Sequence, residues 1–438
     1  MKKFLSITAA ILVLLFVSFW AYVQYQRSTA RSTPVRKDAA MIVRVDVYDI
    51  YKSLLRDYFK LEKKKKDRLV EGLGIPSDVY IYNLQGWQPT TLFATLPVED
   101  SAALVRSLTR HTGSWQPVMQ ASAAGVYIRQ SPDRTWTIAY TATTFAVSWS
   151  PRKENTAVVL TEILQQKNTQ PLKDSRLSAV NRLPGHISFT DGSMQGHIDF
   201  ERGQVLAEAV IPAPQLQVPA LMQYRRPASD AALRLWYLAG ADAWLRHKTF
   251  TLDTLTLQGD SLLAAGVTGI ALTVSGSVIQ KDTIVAYEYN DDFEKVATVT
   301  IKEDSVPGIY ATLYGNGPAL ATQLKQCHWL RSDSSIVNPA VFPLYRLYAQ
   351  SQREGLYLGT VAHAPVGNLV PTTNFFNLFI DFEKLGLQKE FVPLKPYTRV
   401  LKQLDASATL VPEHMVQARA KLQLQDPARH ALLQLLAL

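Results

Sequence analysis

The chain has 438 residues, 47% hydrophobic and 19% charged, with a formal net charge of +9 and one cysteine. This composition excludes a disordered chain, and the lone Cys327 excludes a disulfide scaffold or a zinc site built on several thiolates. The length suits two or three domains, and the basic balance raises nucleic acid or an acidic membrane as partners.

The first element, 1–26, reads as a signal anchor. Lys2 and Lys3 precede an uncharged apolar run, Phe4–Val23, of twenty residues. A helix of that length spans about 30 Å, the thickness of a bilayer's hydrocarbon core. Phe4, Leu12, Leu14, Leu15 and Phe16 would face lipid, while Trp20, Tyr22 and Tyr25 sit where amphipathic rings favour the interface. A cleaved signal has a shorter apolar core. The small-x-small site Ser28-Thr29-Ala30 lies beyond Gln24, Gln26 and Arg27, so the run is read as uncleaved. Lipidation needs a cysteine just after the signal, which Cys327 is not. A short basic start, an apolar run and a large folded part form the pattern of an exported, tethered protein. The C-terminal part is therefore expected outside the cytoplasm, although Arg27, Arg31, Arg36 and Lys37 lie beyond the run. Residues 27–39 show no hydrophobic periodicity and read as a tether.

The charge is concentrated. Residues 1–37 hold six Lys or Arg and no acid, so removing them takes +9 to +3. Lys60–Arg68 carries a further +4, leaving the rest at −1. Neither cluster interleaves basic residues with aromatics along a face, so no nucleic-acid partner is expected. Lys63, Lys64, Lys65 and Lys66 read as a solvated run, with anionic lipid head groups as the sharper alternative.

The body divides into a first lobe at 40–210, a connection at 211–229 with four prolines, and a second lobe at 230–438. In the first lobe a strand through Val43-Arg44-Val45 leads into a helical pattern from Asp49. Leu92-Phe93-Ala94-Thr95-Leu96 precedes a helix beginning near Asp100. Val126–Ile128, Thr135–Tyr140 and Thr144–Trp149 form a meander, followed by a helix over about 155–166. The second lobe offers matching words: Leu233-Arg234-Leu235 before Ala241–Arg246, and Ile309-Tyr310-Ala311-Thr312-Leu313 before a helix through Leu320 and Leu324. Ile380-Asp381-Phe382-Glu383 repeats Ile198-Asp199-Phe200-Glu201. A diverged internal repeat is the reading. Strands over 251–301, helices around Leu320 and Tyr345, and a final helix with Leu432, Leu433, Leu435 and Leu436 on a sheet complete it. The fold class is α+β: two related lobes of antiparallel sheet with helices on one face, behind one transmembrane helix.

The phrase Gly74–Leu84, the strand and helix from Thr91 to Leu108, and Leu422–Asp426 before a leucine-rich helix resemble an uncharacterised group of Bacteroidetes envelope proteins. The resemblance covers the body loosely, through core patterns. It implies a bacterial envelope location and repeated α+β units behind an export signal, and brings no catalytic residues.

Chemical signals are sparse. Gly315-Asn316-Gly317-Pro318 between a strand and a helix could approach a phosphate, but the third glycine of a dinucleotide fingerprint is missing. It reads as a helix-initiating turn like Pro97–Asp100, with no cofactor implied. His186, His197 and Asp199 lie on one hairpin face and could hold zinc, against the plainer reading of polar residues on a solvated face. Cys327 beside His328 reads as packing, and Asp291-Asp292 as a turn. Trp136 and Trp149 fall in the meander as cross-strand packing. Trp87 and Trp115, near loops, are the better candidates for exposed aromatic contact. The functional expectation is a non-enzymatic, membrane-anchored envelope module that binds or spaces a protein or envelope polymer. A carrier for lipid or another hydrophobic ligand, and a hydrolase with a dispersed site, are the alternatives.

Overall fold

The structure is a computed structural model that describes residues 27, 30, 33–58, 71–118, 125–225, 230–252, 255–289, 295–363 and 368–437. The anchor run and Lys63–Lys66 lie outside the described residues. Among those described, no helix is long and apolar enough to cross a membrane. The chain divides into two compact units, one ending at Glu201 but including Ala207–Ala209, the other taking 202–206 and 210–438.

The first unit is built on alternation. In β2 (Ala39–Asp46) and β3 (Asp78–Leu84) every second residue points inward, burying Ile42, Tyr80, Tyr82 and Leu84. β1 (Pro34–Arg36) pairs with β9 (Thr169–Pro171) apart from the main sheet. The others are β4 (Leu92–Pro97), β5 (Gln116–Pro117), β6 (Tyr127–Gln130), β7 (Trp136–Tyr140), β8 (Thr144–Trp149), β10 (Ile187–Thr190) and β11 (Gln195–Phe200). Their order is β11-β10-β2-β3-β4-β8-β7-β6-β5, antiparallel throughout.

Three helices pack in this unit, two of them begun by a side-chain cap. Asp46 accepts the Asp49 N–H at the start of α1 (Val47–Tyr58), and Asp100 accepts the Ala103 N–H at the start of α2 (Ser101–His111). Leu104 and Leu108 of α2 pack on Ile138, Tyr140 and Phe145. α3 (Ala157–Leu164) sets Val159, Leu160 and Ile163 among Phe93, Ala139 and Ala146. Ile138 and Ala139 are consecutive in a strand and so face opposite ways. The helices therefore cover both faces of this sheet, where one was expected.

In the second unit β14 (Leu233–Tyr237) lies between β17 (Gly269–Tyr289) and β22 (Asn374–Asp381). The sheet continues through β18 (Lys295–Tyr314), β20 (Gly355–Gly359) and β19 (Tyr348–Gln352) on one side. On the other side lie β23 (Leu401–Val411) and β24 (Met415–Leu424). β12 (Gln204–Pro212) precedes it. β13 (Met222–Arg225) pairs with β21 (Leu369–Thr372), and β15 (Thr249–Leu252) with β16 (Leu255–Gln258). Leu320 and Leu324 of α4 (Gly317–Gln326) pack on Leu356 and Ala349. Trp236, Phe375, Ala408 and Val416 gather with Met222 in a second core.

The connectivity is the same in both units. The first runs β7-β8-β4-β3-β2-β10-β11 and the second β19-β20-β18-β17-β14-β22-β23, with matching chain order place by place. The helix after β4 and the helix after β18 agree in detail. A capping Asp100 or Asn316 is followed by Ala103 or Ala319, whose N–H it receives, then by buried leucines at matching steps. The third matched word does not fit this frame: Ile198–Phe200 lies in β11, whereas Ile380 and Asp381 end β22, whose counterpart is β10.

Several expectations fail locally. Much of 27–39 is folded: Ala30, Val35 and Ala39 join the core, and Arg36 bonds Asp38 and Glu162. A three-residue strand is too short to show a period. Much of 211–229 is likewise packed, with Leu216, Val218 and Met222 against the second core. Tyr345 lies in a loop before β19, and no helix forms there. The final helix is only Ala431–Leu435. It buries Ala431 and Gln434 and leaves Leu436 exposed, because Gln434 donates to the Asp426 and Arg429 carbonyls.

Candidate functional site

His186, His197 and Asp199 do come together. His186 Nδ1 lies 3.1 Å from Asp199 Oδ1, and His197 Nε2 lies 3.7 Å from Asp199 Oδ2, all partly buried. His186 Nδ1 also receives the Phe200 N–H at 3.1 Å, which occupies the lone pair a metal would need there. Gly185 (φ +92°) brings the chain so near His197 that a Cβ would lie 2.9 Å from the His197 Cβ. The Asp199 carboxylate lies beside both rings. Among the described residues, no group of three or more His, Cys, Asp or Glu is arranged to hold a metal ion.

The turn Gly315–Pro318 is a helix start. Asn316 accepts the Ala319 N–H at 3.1 Å, and Pro318 stands in the first turn. Its glycines admit protein backbone: a Cβ on Gly315 would lie 2.1 Å from the Gly266 carbonyl, and one on Gly317 2.3 Å from that of Gly355. An open depression beside them is lined by Ser351, Gln352 and Arg353.

The aromatic assignments hold for pairing but not for exposure. Trp87 stands edge-on to Phe93 with centroids 5.9 Å apart, and Trp115 packs on the α2 core, so neither is an exposed contact. Trp136 and Trp149 form a cross-strand pair, 6.2 Å between centroids, and both are exposed. Short loops fold Trp87 and Trp115 back onto the sheet, whereas α2 stops short of the Trp136–Trp149 end.

A buried charge network escaped the sequence reading. Arg44 Nε lies 3.7 Å from Asp78 Oδ1, and its Nη atoms donate to the Asn181 and Leu183 carbonyls and to Ser188 Oγ. Asp46, directly opposite Asp78 in the β2–β3 register, meets Arg27 at 3.4 Å. Burial, then the nearby Asp46 charge, pushes the Asp78 carboxyl above the ordinary carboxylate range. Both carboxylates are closed to solvent, so the network positions β2, β3 and α1 and cannot reach a substrate. Its signal in the sequence was an arginine and two aspartates on strands that are otherwise apolar.

The second missed feature is larger. β17 and β18 run 21 and 20 residues, against a common strand length of roughly 3–10. Only Ile270–Val274 of β17 pairs with β14, and only Tyr310–Tyr314 of β18 with β20. Past a bulge at Ser275/Ser277 the two strands pair with each other as a ribbon, Ser277–Tyr289 against Lys295–Pro307. At about 3.4 Å per residue the ribbon is about 40 Å long.

The faces of this arm differ. On one, Gln280 donates to the Arg346 and Thr360 carbonyls at 2.7 Å, Asp282 pairs with Arg346, and Val306 is buried. On the other, Ile279 (57% exposed), Val285 (48%), Tyr287 (59%), Val299 (62%) and Ile301 (63%) stand in solvent. Cross-strand partners share that face: Lys281 with Glu303 at 2.8 Å, Thr283 with Ile301, Val285 with Val299, and Tyr287 with Ala297. The ribbon thus carries a contiguous row of exposed apolar side chains. Strands over 251–301 were expected from the sequence, but only the exposure of these side chains shows that the face is left open.

No protein-family model matches the chain, and no curated protein matches it. Among solved structures, crystal form IV of TP0453 aligns with 40% of this chain and 78% of its own at 11% identity and a TM-score of 0.27. Crystal form I aligns with 43% and 85% at 10% identity and 0.28, and crystal form III with 74% and 90% at 8% identity and 0.25. At these TM-scores the similarity carries no argument about fold or function.

Proposed function

We propose that this chain is a non-enzymatic binding module of the bacterial envelope, tethered to a membrane by Phe4–Val23, that recognises a protein through the β17–β18 arm. The observation that carries the reading is the exposed face of Ile279, Val285, Tyr287, Val299 and Ile301 on a ribbon that extends past its own sheet. A largely apolar strip with one compensated ion pair, and Lys295 over the Tyr287 ring at its far end, offers desolvation and few hydrogen bonds, which suits a protein surface better than a polar polymer. The twenty-residue apolar run and the resemblance to envelope proteins support the tether and the location.

The test is crosslinking and purification of the intact chain with its neighbours, in wild type and in Ile301→Asp. The expected result is a specific neighbour captured by wild type and lost from the variant. Equal capture by both removes the arm as the recognition element.

A further inference from the structure

We infer that the open face of the arm packs against the same face of a second copy of this chain, about a two-fold axis running along the ribbon. The inference rests on the reading above, that the arm is the docking element, and names its partner.

The argument is self-complementarity. In an isologous contact one patch meets its own copy. Rotating a ribbon by half a turn about an axis parallel to its length sets each residue over its cross-strand neighbour in the copy. Lys281 then faces the partner's Glu303, and Glu303 the partner's Lys281, so the charges compensate across the contact as they do within one ribbon. The sizes compensate as well. Tyr287 falls over the partner's Ala297 and Ile279 over the partner's Ser305, each a large side chain over a small one, while Val285 meets the partner's Val299. An axis across the ribbon at Thr283 would instead set each strand over its own reversed copy, with Lys281 over the partner's Val285 and Glu303 over the partner's Val299.

The described ribbon residues carry three basic and four acidic side chains, so an anionic lipid surface gains nothing from them electrostatically. A face about 40 Å long and about 10 Å wide, given strands roughly 4.8 Å apart, buries about 800 Å² over two copies. That lies below the range of about 1,200–2,000 Å² for stable complexes, so the dimer is a weak one that depends on concentration.

Sedimentation velocity of the full chain in mild detergent over a concentration series tests this with Lys281→Glu, Glu303→Lys and an equimolar mixture of the two. Wild type is expected to associate with rising concentration. Each single variant places like charges across the axis and should weaken association about tenfold. The mixture should recover wild-type behaviour, because a chain with acids at both positions then faces a chain with bases at both. A purely structural ion pair within one ribbon predicts no such recovery. A wild type that stays monomeric throughout, or a mixture no better than its components, overturns the inference. If Ile301→Asp still loses a different captured neighbour in those cases, the arm binds another protein and only the second-copy inference falls. If Ile301→Asp changes neither association nor capture, the functional reading falls with it.

Discussion

β3–β4 in the first unit and β17–β18 in the second hold the same place in the same connectivity. The first pair has strands of seven and six residues with Tyr82 and Phe93 buried. The second runs about three times as long and leaves Val299 and Ile301 in solvent. The frame tolerates both because a hairpin grows from its free end, where added residues pair only with each other and disturb no neighbour. What the difference teaches is that the sheet determines where the hairpin starts and which way it faces, while its length is free to be used for something else.

The units also differ in where they keep charge. Arg44 and Asp78 are sealed in the first, whereas Lys281–Glu303 and Arg331–Asp333 of the second lie in solvent. Arg44→Leu leaves Asp78 buried without its cation and should cost the first unit about 3–5 kcal/mol, the largest single effect expected here. Denaturant unfolding at two pH values checks the cause. The folded form of Asp78 holds its proton more readily than the unfolded form. Its contribution therefore favours folding at low pH and is lost as pH rises through its folded value, above the ordinary carboxylate range. The Arg44→Leu penalty should shrink on acidification through that window. A penalty indifferent to pH would mean that lost packing, and not charge, is responsible.

Leu104 and Leu320 occupy matching steps after the caps Asp100 and Asn316, and both are fully buried. Leu104→Ala and Leu320→Ala should each lose about 2–5 kcal/mol, read from the unfolding transition of the affected unit. A near-neutral result for one alone breaks the equivalence of the two helices. The caps themselves are a finer probe: Asp100→Ala and Asn316→Ala should each cost about 1 kcal/mol, and unequal shifts in unfolding midpoint would show that the turns carry different loads. Smallest of all, Ile301→Thr should change stability by less than about 0.5 kcal/mol, since its side chain already meets water. A larger loss by thermal unfolding would mean the arm supports the fold of its own unit.

Short-range chemistry was legible in the sequence. The meander of β6, β7 and β8, the Asp100 cap and the leucines of α2 follow from alternation and helical spacing within a dozen residues. Two of the three matched words mark corresponding strands, β2 with β14 and β4 with β18, because those strands carry the common core. The Ile-Asp-Phe-Glu match misled, since so short a word fits the end of many strands. The rest needed pairing at a distance. Val35 finds its partner in Gln170, far along the chain, so 34–36 looked like linker. Coverage of a tryptophan is a long-range property: Trp87 lies in a loop folded against Phe93, while Trp136 and Trp149 lie in strands beyond the end of α2. Strands were expected over the arm, but its exposure is a property of what the sheet leaves unpaired.

The early start of the first unit sets a leash length. Arg27 already meets Asp46 and Asp49 and lies over Tyr48, four positions after the last residue of the apolar run at Val23. Four residues reach at most about 14 Å fully extended. With Phe4–Val23 held in a membrane as proposed, the unit would stay within that distance of it. A shortened chain begun at residue 40 would discard Ala30, Val35 and Arg36 from the core, so a cut made to release the body belongs before Arg27.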